Sequence, residues 1–251
     1  MIVNKNKRLF CIFRVQTTFI SFFMEILYED NHIIAVNKTN NDIVQGDKSG
    51  DEPLSEKVKA YLKEKYQKPG NVFLGVTHRL DRPTSGVVLF ARTSKALTRL
   101  NHLFKEKGSI NKTYWAVVDK MPIKKEDTLV HYLVRNSKQN KSYAFDTPQK
   151  NGKEASLTYR HLATSKRYYL LEIELHTGRH HQIRAQLAAI GCRIKGDMKY
   201  GFPRSNPNAG IHLHARKITF VHPVSREMIS IIAPPPADPL WNEFLRIMGE
   251  S

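Results

Sequence analysis

The chain has 251 residues, enough for one large domain or two small ones with a sizeable core. Lys and Arg number 40 against 23 Asp and Glu, a net charge of +17 that calls for an anionic partner, nucleic acid ahead of acidic membrane. Two cysteines, Cys11 and Cys192, stand far apart, which argues against a disulfide framework or a thiolate zinc site and fits a reducing cytoplasm.

Lys5, Lys7 and Arg8 precede the apolar run Leu9 to Phe13 in the manner of a secretion signal. Arg14, Gln16, Thr17 and Thr18 interrupt that run, and no small-residue cleavage site follows. No stretch is long enough to span a bilayer. An amphipathic anchor is the weaker reading, because the charges do not gather on one helical face. Residues 1–23 are therefore expected to be an extension, with one folded domain over residues 24–251.

Glu25 to Glu29 and Ile33 to Val36 read as strands. A polar loop follows from Thr39 to Asp51, and Pro53 opens a helix with Leu54, Val58, Tyr61 and Leu62 on one face. Pro69-Gly70 ends that region, and Val72 to Val76 leads into the run His78 to Gly86. Here Asp81 stands between Arg79 and Arg82, a Thr-Ser-Gly turn follows, and Val87 to Phe90 forms a central strand. Thr93 and Ser94 offer a cap for a helix carrying Leu97, Leu100, Leu103 and Phe104. Further strands are expected at Lys112 to Val118, Thr128 to Val134, Ala155 to His161, Tyr168 to Leu175, Ile218 to Val221 and Met228 to Ile232. Gln182 to Ile190 and Asp238 to Met248 read as helices, with a longer linker at Gly201 to Gly210. Strands mostly follow strands, so the fold class is α+β with a mixed or antiparallel sheet.

Three segments carry chemistry. A carboxylate at Asp81, among cations at the mouth of a buried strand, suits a nucleophile or base for an anionic substrate; its plainer role is a salt-bridged loop residue. Tyr114, beside Trp115 on a strand, reads by composition as core or sheet-face packing. The run Thr177-Gly178-Arg179-His180-His181-Gln182-Ile183-Arg184 reads on its own as a basic helix start meeting solvent or phosphate, or as a functional element. His212 with His214, and His180 with His181, lack the acidic or thiolate partners of a recognisable metal spacing. No metal is expected, and no phosphate-binding Gly-Lys loop or dinucleotide fingerprint points to a cofactor.

The run His78 to Gly86, the pattern Lys112-x-Tyr114-x-Ala116 and the run Gly178 to Arg184 resemble, in the same order, the signatures of the RluA-type pseudouridine synthases, which convert uridine to pseudouridine inside folded RNA. Val36-Asn37-Lys38, Gly196-Asp197-x-x-Tyr200-Gly201 and His212-Leu213-His214-Ala215 extend the resemblance over most of the chain from Met24 onward. It implies the pseudouridine synthase fold, a curved, mainly antiparallel mixed sheet flanked by helices, with an RNA-binding cleft across it. It implies that Asp81 is the catalytic aspartate, that Tyr114 stacks on the flipped uracil and helps move a proton, and that Arg184 is the basic partner of Asp81. Leu80 and Ile183 would pack the pocket. Arg79 would fill the place of the extruded base or contact phosphate, with Arg82, Lys112, Arg179 and His181 as further RNA contacts.

The isomerisation is redox-neutral, so no cofactor is implied. Thr39 stands where the family commonly has proline, which is expected to loosen its loop, and Gln186 stands where histidine is common. A separate N-terminal RNA-binding module is not expected. The sequence thus predicts an isomerase acting on ribosomal or transfer RNA, cytoplasmic and monomeric, with no membrane partner. The rival reading is a non-catalytic RNA-binding or ribosome-assembly factor on the same fold. A nucleoside glycosidase lacks its paired carboxylate.

Overall fold

In the computed structural model, residues 24–47 and 49–250 are described. The expected extension over residues 1–23, with Cys11 and the anchor alternative, lies outside the described residues. Strands β1 (Glu25–Glu29) and β2 (Ile33–Lys38) come first, followed by helix α1 (Leu54–Lys65), the short β3 (Gly75–Val76) and β4 (Ser85–Ala91). Helix α2 (Ser94–Lys105) leads to β5 (Ile110–Val118), β6 (Glu126–Asn136), β7 (Lys141–Phe145), β8 (Lys153–Thr164) and β9 (Tyr169–Leu175). Helix α3 (Gln182–Ala189), a single 3-10 turn (Met198–Tyr200), β10 (Leu213–Val221), β11 (Met228–Ile232) and α4 (Pro239–Met248) complete the order.

The strands build one sheet in the order β1-β2-β4-β10-β5-β9-β8-β6-β7, with β3 on β4 and β11 on β10. The β4–β10 pair is parallel, while the other named pairs are antiparallel. The expected α+β class with a mainly antiparallel mixed sheet is therefore the one observed.

Alternation along each strand sends its residues to two cores. On one face Ile34, Val36, Val88, Phe90, Ala116 and Ile173 pack with Leu54, Val58 and Leu62 of α1 and with Ile183 and Leu187 of α3. On the other face Ile33, Ala35, Val87 and Leu89 meet Ala96 and Leu100 of α2. Trp115 and Val117 meet Trp241 and Phe244 of α4 on that same side. Strand β4, covered on both sides, is buried along its whole length. Thr93 caps α2 by accepting from the Ala96 N–H, and Asp238 caps α4 by accepting from those of Leu240 and Trp241. Each cap is worth about 1 kcal/mol.

Two expectations need correction, and two strands were not foreseen. Ser85 and Gly86 begin strand β4, and the turn lies one step earlier, closed by the Thr84 N–H donating to the Asp81 carbonyl at 3.0 Å. Gly86 is required there: its φ is +115°, and a Cβ would lie 2.3 Å from the Ala215 carbonyl oxygen on the parallel neighbour β10. Strand β10 starts at Leu213, before the expected Ile218, because His214 and Ala215 pair with β4 and β5 despite their weak strand signal. Strand β7 was not foreseen, since Lys141-Ser142-Tyr143-Ala144-Phe145 shows no buried apolar alternation. Of the stretch Val72 to Val76 only Gly75–Val76 pairs.

Both departures from the family pattern have a place. Thr39 ties its loop, its hydroxyl donating to Asp42 Oδ2 at 2.7 Å, where loosening was expected. Gln186 is fully buried on α3, and its amide Nε2 faces the Leu129 and Ala155 carbonyls, each at 3.2 Å, pinning the helix to the sheet. Among the described residues no helix is long and apolar enough to cross a membrane.

Candidate active site

Asp81 sits on the turn that feeds β4, and that turn is held from beneath. The Lys38 ammonium at the end of β2 is 1% exposed and donates to the carbonyls of Thr39, Arg82 and Thr84 at 2.7, 2.9 and 2.8 Å. Burial pulls Lys38 down to about 7, opposed by the negative charges of Asp42 and Asp81. The three carbonyls use all three of its N–H groups, which itself favours the protonated amine. Upstream, His78 Nε2 accepts from the Leu89 N–H at 3.0 Å, and its ring stacks on Phe104. Burial keeps that imidazole neutral, pushed down to about 3. The loop carrying Asp81 is thus held on one side by His78 against β4 and on the other by Lys38 of β2.

Arg184 reaches Asp81 from the first turn of α3. Its Nη1 donates to Asp81 Oδ2 at 3.1 Å, while its Nε and Nη2 donate to Asp197 Oδ2 and Oδ1 at 2.7 and 2.8 Å. The guanidinium also lies over the Tyr200 ring, 5.1 Å from its centroid. Burial works against the Arg184 charge, but the hydrogen bonds and charge of Asp197, then of Asp81, outweigh it and hold its pKa above the usual arginine value. A fork shared this way has one orientation available, and so does the carboxylate it grips. The side chain of Asp81 stays 29% exposed against 5% for Arg184, so the carboxylate is the member of the pair that a ligand can meet.

Tyr114 on β5, Leu80 and Ile183 belong to one buried cluster on the same face of the sheet. Burial raises the Tyr114 phenol above its usual value, and the Asp81 charge raises it further, so the phenol keeps its proton. Asp81, Arg184, Tyr114, Leu80 and Ile183 are thereby brought to one place. His181 joins them from within: it is buried, its Nε2 stands 3.5 Å from Asp81 Oδ2, and its ring stacks on His180 at 3.8 Å. An RNA contact was expected for it.

The remaining cations sit around this centre. Arg79 is exposed and makes no hydrogen bond or ion pair among the described residues. Arg82 is exposed and pairs with Asp51 across the 39–53 loop, with Ser49 also accepting from its Nη2 at 2.8 Å. Lys112 lies half-buried on β5 beside Gly178, and burial lowers its pKa. Arg179 is exposed, its Nε donating to the Glu154 carbonyl at 3.1 Å. Asp197, Lys38 and Tyr200 were not among the expected site residues, although each lies in a segment that carried the family resemblance. Among the described residues no group of three or more His, Cys, Asp or Glu side chains could hold a metal ion.

A partly exposed carboxylate fixed by a buried guanidinium, near a protonated phenol, can act on an electrophilic carbon of a ligand. Residues 32–189 match the RNA pseudouridylate synthase family. The chain is 34% identical over 244 residues to tRNA pseudouridine synthase C of Salmonella typhi, covering 90% of each chain. It is 34% identical over 217 residues, 85% of this chain, to an uncharacterized RNA pseudouridine synthase of Synechocystis sp.. The chain spans 66% of that relative's length and 58% of a tRNA pseudouridine synthase C from Pectobacterium carotovorum. The solved structure of human RNA Pseudouridylate Synthase Domain Containing 4 shares the fold, with a TM-score of 0.74 at 21% identity over 90% of this chain and 93% of that one.

Proposed function

This chain belongs to the RNA pseudouridylate synthase family, with signatures of its RluA type, and we propose that it isomerises uridine to pseudouridine in RNA. The observation that carries the proposal is the Asp81–Arg184 contact at 3.1 Å near Tyr114, with the carboxylate partly exposed to solvent. The target atoms of a uridine are hidden in a stacked helix, so the nucleotide enters flipped or already unpaired. Tyr114 and the apolar side chains Leu80 and Ile183 then receive the uracil, and the ring of Tyr114 offers a stacking face.

Asp81 acts at the sugar as the N1–C1′ bond breaks, either by bonding to it or by stabilising it as an ion pair. The freed base turns over, C5 bonds to C1′, the C5 proton leaves and N1 gains a proton, so the formula is unchanged. Arg184 keeps Asp81 aimed throughout and is itself held by Asp197. Arg82, Lys112 and Arg179 supply charge for the phosphates, and Arg79 fills the place that the extruded base leaves or contacts phosphate itself.

Ribosomal and transfer RNA are the substrate classes of this reading, because curated relatives are named for both: tRNA pseudouridine synthase C in Salmonella typhi and ribosomal large subunit pseudouridine synthase D in Zymomonas mobilis. The reading includes a monomer acting in the cytoplasm. Pseudouridine mapping of RNA from cells with and without the gene, repeated with purified protein added back, tests it. One or more uridines should lose modification without the gene and regain it on addition. Tight RNA binding with no uridine converted would favour the non-catalytic factor instead.

A further inference from the structure

His181 has an unusual hydrogen-bonding position. It caps the N-terminal end of α3 with φ at 53°, in the left-handed region, and this turns its ring inward. Its Nδ1 lies 3.1 Å from the Tyr200 hydroxyl. That hydroxyl already donates its one proton to the Ser142 carbonyl at 3.0 Å, and it accepts from the Ser142 N–H at 2.9 Å. With the Tyr200 proton on the Ser142 carbonyl, the contact with His181 is a hydrogen bond in the tautomer that carries its proton on Nδ1. Burial, then the charges of Arg184 and His180, pushes the imidazole down to about 2, so the ring is neutral. Its Nε2 is then a bare lone pair facing Asp81 Oδ2 at 3.5 Å, an acceptor opposite an acceptor with no proton between them.

Asp81 Oδ2 already accepts from Arg184 Nη1 at 3.1 Å, so it is the Nε2 lone pair of His181 that is completed only when a ligand brings a donor. A carboxylate placed to act at C1′ of a uridine lies near the 2′-hydroxyl, because C2′ is bonded to C1′. The uracil N3–H, by contrast, points away from the glycosidic bond. We infer that His181 Nε2 accepts a hydrogen bond from the ribose 2′-hydroxyl of the target nucleotide, leaving the Asp81 oxygen free for C1′. The inference rests on the proposed pseudouridine synthase activity and assigns His181 a specificity role: it reads the group that distinguishes RNA from DNA at the reacting nucleotide.

The test is a double cycle on an oligonucleotide carrying the mapped target uridine, made with ribouridine or 2′-deoxyuridine at that one position. His181→Asn is the first variant, because Asn tolerates left-handed backbone and retains a donor for Tyr200 while falling short of Asp81. His181→Ala is the second, and thermal melts show whether each is folded. The intrinsic effect of the missing oxygen on the reaction is common to all enzymes and cancels in the cycle. The 2′-deoxy substitution should lower kcat/KM of the native enzyme by roughly fivefold to tenfold more than that of either variant. Equal factors in native and variant enzymes would overturn the inference while leaving the function standing. Coupling that appears with 3-methyluridine and not with 2′-deoxyuridine would move the acceptor to the base and overturn it too. A native protein that converts no uridine in cellular RNA would remove the function, and this inference with it.

Discussion

Asp197→Asn tests the support of the site rather than its surface. Asp197 is 1% exposed and takes two of the three hydrogen bonds that Arg184 makes with carboxylates. Asparagine preserves the shape but sets an NH2 group against a guanidinium N–H, and it removes the charge. Arg184 then remains buried with only the partly exposed Asp81 opposite. Removing one partner of a buried pair costs about 3–5 kcal/mol. The surviving bond to Asp81 favours the lower end of that range. At about 2–4 °C per kcal/mol for a chain of this size, the midpoint should fall by roughly 6–12 °C. Urea unfolding followed by fluorescence of the buried Trp115 and Trp241 reads the change directly. Pseudouridine formation should fall as well, because Asp81 loses its oriented partner. Arg184→Lys should fail similarly, since an ammonium cannot span two carboxylates as a planar fork does. A stability loss below about 1 kcal/mol for Asp197→Asn would refute the idea that this pair fixes the catalytic arginine.

Tyr114→Phe keeps the stacking face and should hold kcat/KM within about tenfold, whereas Tyr114→Ala should cost about 1–3 kcal/mol of transition-state binding. A loss of about 10²-fold or more for Tyr114→Phe would mean instead that the phenol moves a proton. Lys112→Ala should weaken RNA binding and flatten the plot of log affinity against log salt by about 0.9, if its ammonium meets a phosphate. An unchanged slope in filter binding would take it out of the interface. Gly86→Ala should destabilise the fold by more than about 3 kcal/mol, since its Cβ would lie 2.3 Å from the Ala215 carbonyl on β10. Native-like denaturation of that variant would show that the β4–β10 approach tolerates a side chain.

Strands and helices with strong two-fold or 3.6-fold patterns were legible in the sequence, because their burial follows local alternation. Leu54, Val58 and Leu62 of α1 and the continuous apolar β4 are examples. Elements held by tertiary partners were not. Strand β7 exists because β6 pairs with it and because Tyr200 bonds the Ser142 main chain, contacts from distant parts of the chain. The first residues of β10 pair around a histidine whose Nδ1 meets Ser85 at 2.9 Å. At the site, Asp81, Tyr114 and Arg184 could be named from their runs, whereas Asp197 and Lys38 act by geometry: one fills the arginine fork, the other gathers three carbonyls. His181 was legible as a residue of interest but not in its role, because a positive φ turns its ring inward.

The account depends most on Asp81 as the group that acts on the target nucleotide. The most direct measurement is tritium release from RNA labelled at C5 of uridine, comparing the native enzyme with Asp81→Asn at matched RNA binding. The account predicts binding within a few-fold of native and no release above background, since an amide can neither attack the sugar nor stabilise its cation. Release at the native rate from Asp81→Asn would contradict it.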